Sequence, residues 1–141
     1  MIELSAMPEK FSRVLVVESA RHTRNHYLTV EIVKSIRRVL PHSTVDLLSQ
    51  PIVVLDRHRD VDLLLVFGGE NADDPALQVL LASARFTAVW YTEDPYQQPV
   101  NRLTANQFDM VFSNDSLSAV SYGKHGVHLP LAAAVQRSAV A

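Results

Sequence analysis

The chain has no cysteine among its 141 residues, so it can form neither a disulfide framework nor a thiolate metal site. No apolar run approaches the roughly 20 residues that a bilayer-spanning helix needs, and we expect no membrane span. The first residues, MIELSAMPEKFSR, carry acids and lack the apolar core of a signal peptide. We therefore expect a cytoplasmic protein that is not exported.

The chain also lacks an excess of positive charge, since 13 Lys and Arg face 15 Asp and Glu, for a net charge of −2. That balance gives no electrostatic reason to expect a nucleic-acid partner. Hydrophobic residues make up 48% and charged residues 20%, which excludes a disordered tail. The length corresponds to one domain with a buried core.

Short apolar runs rich in β-branched residues recur along the chain and predict buried strands. The predicted strands are RVLVVES (13–19), STVDLLS (43–49), VDLLLVFGGE (61–70), FTAVWYTED (86–94), FDMVFSND (108–115) and VHLPLAA (127–133). Residues 50–60 are ambiguous, because PIVVLD favours a strand by propensity. A short crossover helix or a loop suits its place between two strands better.

Helical patterns fall between these strands. An apolar stripe predicts a helix over about 26–40, ended by Pro41; its members are Leu28, Ile32, Ile36 and Val39. Asp73, Asp74 and Pro75 open a second helix that runs to about Arg85. Residues 99–107 predict a weak helix, and SLSAVSYG, ended by Gly123, predicts a short one.

Alternating strands and helices predict a Rossmann-like α/β fold, a doubly wound parallel sheet of five to six strands. Right-handed crossovers favour the strand order 2-1-3-4-5-6, with the switch point between strands one and three. We expect this domain to span 13–133, after an extension at 1–12. Residues 134–141 are predicted to be a tail or the start of a linker.

Polar residues gather at the carboxyl ends of the predicted strands, where ligands of open parallel sheets bind. Any single acid there can be a helix cap or a turn former, but four of the five strand ends that we identify carry one. We expect these ends to form a substrate site. Its predicted members are Ser19, Arg21, His26, Gly68, Gly69, Glu70, Asn114 and Asp115.

The segment ARHTRN (20–25) concentrates positive charge before the first helix, whose amino-terminal amides attract anions. A phosphate or carboxylate could bind there with His22 as a general base; the alternative is a solvated polar cap. This segment has no glycine, which disfavours a dinucleotide cofactor. His22 and His26 lack a nearby third ligand, so neither a metal nor another cofactor is expected.

Four segments of the second half carry a resemblance to a known family: WYTEDPY (90–96), FDMVFSND (108–115), YGKHG (122–126) and HLPLAA (128–133). In this order and spacing, the chain from Ala88 onward resembles the amino-terminal domain of CgeB-type (spore maturation protein-like) glycosyltransferases. The first half matches that family only in its strand–helix rhythm.

The resemblance implies a GT-B architecture, in which two Rossmann-like domains face a cleft. The amino-terminal domain usually holds the acceptor, a carbohydrate or a protein, and the second domain binds the nucleotide-sugar. The chain would then be the acceptor half, incomplete for catalysis without a second GT-B domain. A non-catalytic Rossmann-like module that binds a ligand or docks a partner is the alternative.

The same resemblance gives the acids a possible role. If the complete enzyme inverts, a carboxylate or histidine must take the proton of the acceptor hydroxyl, and the candidates are Asp94, Glu93 and His22. For Asp94 the alternative is structural. Pro95 would fix the exit of the strand, and the carboxylate would accept hydrogen bonds.

Overall fold

Six parallel strands form one sheet in the computed structural model, which describes residues 11–19 and 26–130. The strands are β1 (Arg13–Glu18), β2 (Thr44–Leu48), β3 (Leu63–Phe67), β4 (Phe86–Tyr91), β5 (Met110–Ser113) and β6 (Gly126–His128). Their order is β2-β1-β3-β4-β5-β6, and every neighbouring pair is parallel. The predicted Rossmann-like α/β fold and its strand order are confirmed.

Four α-helices connect these strands within the described residues: α1 (His26–Val39), α2 (Pro75–Ser83), α3 (Gln98–Asn101) and α4 (Ser116–Ser121). The ambiguous segment 50–60 contains no strand, only a 3₁₀ turn at Asp56–His58. The weak helix expected over 99–107 is divided into α3 and a 3₁₀ turn at Ala105–Gln107.

The start of α2 follows the predicted signal. The Asp74 carboxylate accepts the backbone N–H of Ala76 at 2.9 Å, and Pro75 occupies the first helical position. This satisfies one amide that has no partner within the helix, while Pro75 has no amide hydrogen to satisfy.

The core is divided into two layers, one on each face of the sheet. Leu77 and Leu80 of α2 pack into one layer, and Leu28 and Ile32 of α1 pack into the other. Tyr91 belongs to the first layer and its neighbour Trp90 to the second, as expected for alternating positions of a strand. Both aromatic residues are buried and pack in the core.

One position of the predicted α1 stripe is wrong. Val39 is 76% exposed, whereas Leu40 packs against the same layer as Leu28, Ile32 and Ile36. The buried row therefore advances by four residues at every step. That row inclines across the helix surface and leaves Val39 beside it.

Candidate functional site

The carboxyl ends of the six parallel strands meet along one edge of the sheet. The chain passes from β1 to β2 on one side of β1 and then crosses over to β3 on its other side, so the switch point lies between β1 and β3 as predicted. Loops diverge at such a point and leave a crevice, which is the usual ligand position in open α/β sheets.

Glu18 and His26 form a pair beside this switch point. Glu18 ends β1 and is only 3% exposed, whereas His26 is the first residue of α1 and lies at the surface. The imidazole Nδ1 is 2.5 Å from the Glu18 Oε1. The pair places a carboxylate-bound imidazole at the edge of the sheet where a ligand is expected.

Ser19 links the exits of three strands. Its carbonyl accepts the side-chain amides of Gln50 at 3.0 Å and Asn71 at 2.8 Å, and its hydroxyl donates to the Phe67 carbonyl at 3.2 Å. These bonds join the segments that follow β1, β2 and β3. Ser19 therefore has a structural role, and its contact with a substrate stays a prediction.

The two glycines after β3 serve different needs. Gly68 has a φ of +91°, a conformation that glycine adopts without strain, and it turns the chain directly after β3. A Cβ on Gly69 would lie 2.2 Å from the Asn101 Oδ1 and 2.7 Å from the Tyr91 Cε1. The close approach at Gly69 is therefore made by the protein's own side chains.

A second polar group, the Asp94 cluster, comprises Asp94, Asn101, Ser113 and Tyr122. Asp94 is 3% exposed, and one of its oxygens accepts the Asn101 side-chain amide at 2.8 Å. Its other oxygen accepts the hydroxyls of Ser113 at 2.7 Å and Tyr122 at 2.8 Å. These donors come from α3, β5 and the end of α4, so the carboxylate fastens three elements together.

Neutral donors stabilise this buried charge. Within residues 11–19 and 26–130, no ion pair includes Asp94. Burial raises the pKa of Tyr122, and the hydrogen bond to Asp94 and that residue's negative charge raise it further. Burial also raises the pKa of Tyr91 to about 12, partly offset by a hydrogen bond with Thr104. Both phenols therefore stay protonated at neutral pH.

The free energy of unfolding should fall as the pH rises from about 10, the ordinary pKa of tyrosine, to about 12, the pKa of folded Tyr91. Folded Tyr91 holds its proton more tightly than unfolded Tyr91, so this contribution is complete below the lower value and is lost through the upper one. Urea unfolding at several pH values measures the slope. Tyr91→Phe should make the slope shallower, and the slope that remains includes the contribution of Tyr122, whose pKa is also raised in the fold. Tyr96→Phe, at an exposed position, serves as the control. Equal slopes in all three proteins would contradict the assignment.

The other predicted site residues lie at the same edge of the sheet and differ in their contacts and exposure. Asp115 caps α4, because its carboxylate accepts the backbone N–H of Ser118 at 2.9 Å and the Ser118 hydroxyl at 2.7 Å. These hydrogen bonds lower the pKa of Asp115. The Asn114 side chain donates to the Thr92 carbonyl at 2.9 Å. Glu70 and Glu93 are exposed.

Two predicted residues, Arg21 and His22, lie outside the described residues. Their part in a site at this edge of the sheet therefore stays a prediction. Glu70, Asp94 and Asn114 follow the carboxyl ends of β3, β4 and β5.

Sequence reasoning missed the residues that hold the predicted ones in place. Asn101, Ser113 and Tyr122 bind Asp94, and Gln50 and Asn71 bind Ser19. Ser113 offered one signal, since it is a polar residue in an otherwise apolar run. The others carry no local pattern that marks them.

Within residues 11–19 and 26–130, no group of three or more His, Asp or Glu side chains is arranged to hold a metal ion. None of the helices in those ranges is both long and apolar enough to cross a membrane.

These features define a Rossmann-like α/β domain with polar groups at the carboxyl edge of its sheet. Comparison with known proteins found no matching family model, no matching curated protein and no matching solved structure.

Proposed function

We propose that the chain is the acceptor-side amino-terminal domain of a glycosyltransferase that uses a nucleotide-sugar donor. The Rossmann-like fold is the one that a GT-B enzyme requires of this half. The polar edge beside the switch point supplies the groups that a hydroxyl-bearing acceptor needs. A second Rossmann-like domain would bind the donor, and transfer in a GT-B architecture generally needs no bound metal.

The observation that carries this proposal is the way the four resembling segments contact one another. Segment 90–96 contributes Asp94, and segments 108–115 and 122–126 contribute its donors Ser113 and Tyr122. Leu129, in the described part of segment 128–133, is also in contact with the first segment, because the Trp90 indole N–H donates to its carbonyl at 3.2 Å. Segments that hold one another in place are constrained together, which supports the resemblance as a property of the fold.

The test is turnover of nucleotide-sugars by the native full-length protein. UDP- and GDP-linked hexoses are supplied with a glycan and protein extract as acceptor, and release of the nucleoside diphosphate is measured. We expect release by the full-length protein and none by the 141-residue chain alone. Turnover by the 141-residue chain would contradict the incomplete-half proposal. A full-length protein that turns over none of these donors would contradict the transferase.

A non-catalytic docking module is the second candidate, and exposed apolar side chains favour it. Leu117 and Val120 of α4 are 80% and 77% exposed, and Val100 of α3 is also exposed. The two helices are joined by a hydrogen bond between Gln98 and Ser121 at 2.9 Å. An open reading frame with roughly 150 to 250 further residues in a second α/β pattern would favour the transferase instead.

The role of Asp94 is decided by Asp94→Asn in the full-length protein. Asparagine keeps the volume and one acceptor oxygen, and the hydroxyls of Ser113 and Tyr122 can turn to accept its amide. The carboxylate already accepts three hydrogen bonds that stabilise the fold. Because the substitution weakens them, we expect the free energy of unfolding to fall by about 1–2 kcal/mol. Turnover by the folded fraction should stay within about tenfold of the wild type. A loss of about 10² to 10⁴ with an unchanged denaturant midpoint would instead establish the catalytic role predicted from the sequence.

A further inference from the structure

We infer that His26, held by Glu18, is the group that takes the proton from the acceptor hydroxyl, which makes His26 a catalytic residue and Glu18 a positioning residue. This inference rests on the proposed function and on transfer with inversion at the anomeric carbon, and it assigns the proton acceptor of that reaction. It differs from the expectation that Asp94, Glu93 or His22 fills that role.

The first support is the hydrogen bond between the two side chains. Glu18 accepts from the imidazole, because an ionised carboxylate has no proton to donate. At 2.5 Å from the Glu18 Oε1, Nδ1 therefore carries the proton. Neutral His26 is then the tautomer whose lone pair is on Nε2, the nitrogen that a general base uses when a carboxylate orients the ring.

The second support is the difference in exposure across the pair. The Glu18 side chain is 4% exposed and the His26 side chain is 55% exposed, so the ring leads from a buried anchor to the surface. Within residues 11–19 and 26–130, no hydrogen bond uses the His26 Nε2. Among the described residues, that nitrogen is therefore left available to a ligand at the edge of the sheet.

The third support is position. Glu18 ends β1, the strand beside the switch point, and His26 begins the helix that follows it. Asp94 lies two strands away from β1, with both oxygens occupied by donors of the protein. A base must reach the hydroxyl it deprotonates, and the exposed imidazole meets that requirement better than the enclosed carboxylate.

In the transfer step, the acceptor oxygen forms a bond to the anomeric carbon of the donor as its O–H bond breaks. The proton goes to the His26 Nε2, and the imidazolium that forms is stabilised by the negative charge of Glu18. The bond between the anomeric carbon and the phosphate oxygen breaks, and its electron pair leaves with the nucleoside diphosphate. Solvent then removes the proton from His26.

A purely structural role for the pair makes different predictions. A buried carboxylate needs a hydrogen-bond donor. In a purely structural role, His26 would supply that donor to Glu18 and do nothing else. His26→Asn separates the two roles, because the asparagine amide can replace Nδ1–H as the donor but provides no base at the position of Nε2. His42→Asn is the matched control, since His42 is exposed and precedes β2 at the opposite edge of the sheet.

Two measurements test the inference. In the 141-residue chain, ¹⁵N chemical shifts of the imidazole should show His26 as the Nδ1–H tautomer, and Glu18→Ala should abolish that preference. In the full-length protein, His26→Asn should lower kcat by about 10² to 10⁴ with little change in the denaturant midpoint, and His42→Asn should leave both unchanged.

Near-normal kcat in His26→Asn, or an Nε2–H tautomer in the wild type, would overturn this inference while leaving the proposed function standing. Absence of turnover already in the wild-type full-length protein would overturn the proposed function itself, and the catalytic role of His26 with it.

Discussion

Asp94→Ala should lower the free energy of unfolding by about 3–5 kcal/mol, because the substitution removes the acceptor of three buried or partly buried donors. Those donors belong to α3, β5 and the end of α4. Without their hydrogen bonds to Asp94, the half of the sheet that contains β4 and β5 is held less firmly. The total free energy of unfolding of a domain of this size is only about 5–15 kcal/mol. The measurement is urea unfolding at neutral pH.

Two other substitutions isolate the cause. Asp94→Asn keeps an acceptor and should cost about 1–2 kcal/mol. Asp73→Ala removes an exposed carboxylate at the surface and should change stability by less than about 0.5 kcal/mol. If Asp94→Ala cost no more than Asp73→Ala, the Asp94 cluster would not stabilise the fold as its hydrogen bonds indicate.

The fold could be predicted from the sequence because its signals are local and regular. RVLVVE and FTAVWY alternate with helical stripes, and Asp74 with Pro75 marks a helix start. The right-handed crossover rule then left few possible strand orders. Residues 50–60 stayed ambiguous because their β-branched residues favour a strand, whereas in the structure they connect β2 to β3 without forming one.

The candidate site could be predicted only in part. The direction of the strands determines which edge of the sheet their carboxyl ends form, so the positions of Ser19, Asp94 and Asn114 along that edge could be predicted. The partners of Asp94 could not be predicted, because they lie 7, 19 and 28 residues farther along the chain. Their meeting depends on how α3 and α4 pack, which no periodic pattern encodes. Glu18 lies at the end of the predicted strand 13–19, but its hydrogen bond to His26 depends on the angle at which α1 begins.

Gly69→Ala should lower the free energy of unfolding by about 1–3 kcal/mol through a steric clash. The new Cβ would lie 2.2 Å from the Asn101 Oδ1 and 2.7 Å from the Tyr91 Cε1. Asn101 cannot turn away freely, because its amide is bound to Asp94 at 2.8 Å. Tyr91 is completely buried, and the close packing of a protein interior resists movement of its ring. The strain at Gly69 should therefore spread into the Asp94 cluster.

Two comparisons separate this clash from the ordinary cost of replacing glycine. Gly123 has a φ of +76° and nothing within 4 Å of an added Cβ, so Gly123→Ala should show only a conformational cost of about 1 kcal/mol. In an Asn101→Ala background, Gly69→Ala should cost less than in the wild type, because the nearest clashing atom is gone. Equal costs of Gly69→Ala in the two backgrounds would show that Asn101 yields freely, and the rigid contact inferred between Gly69 and the Asp94 cluster would be wrong.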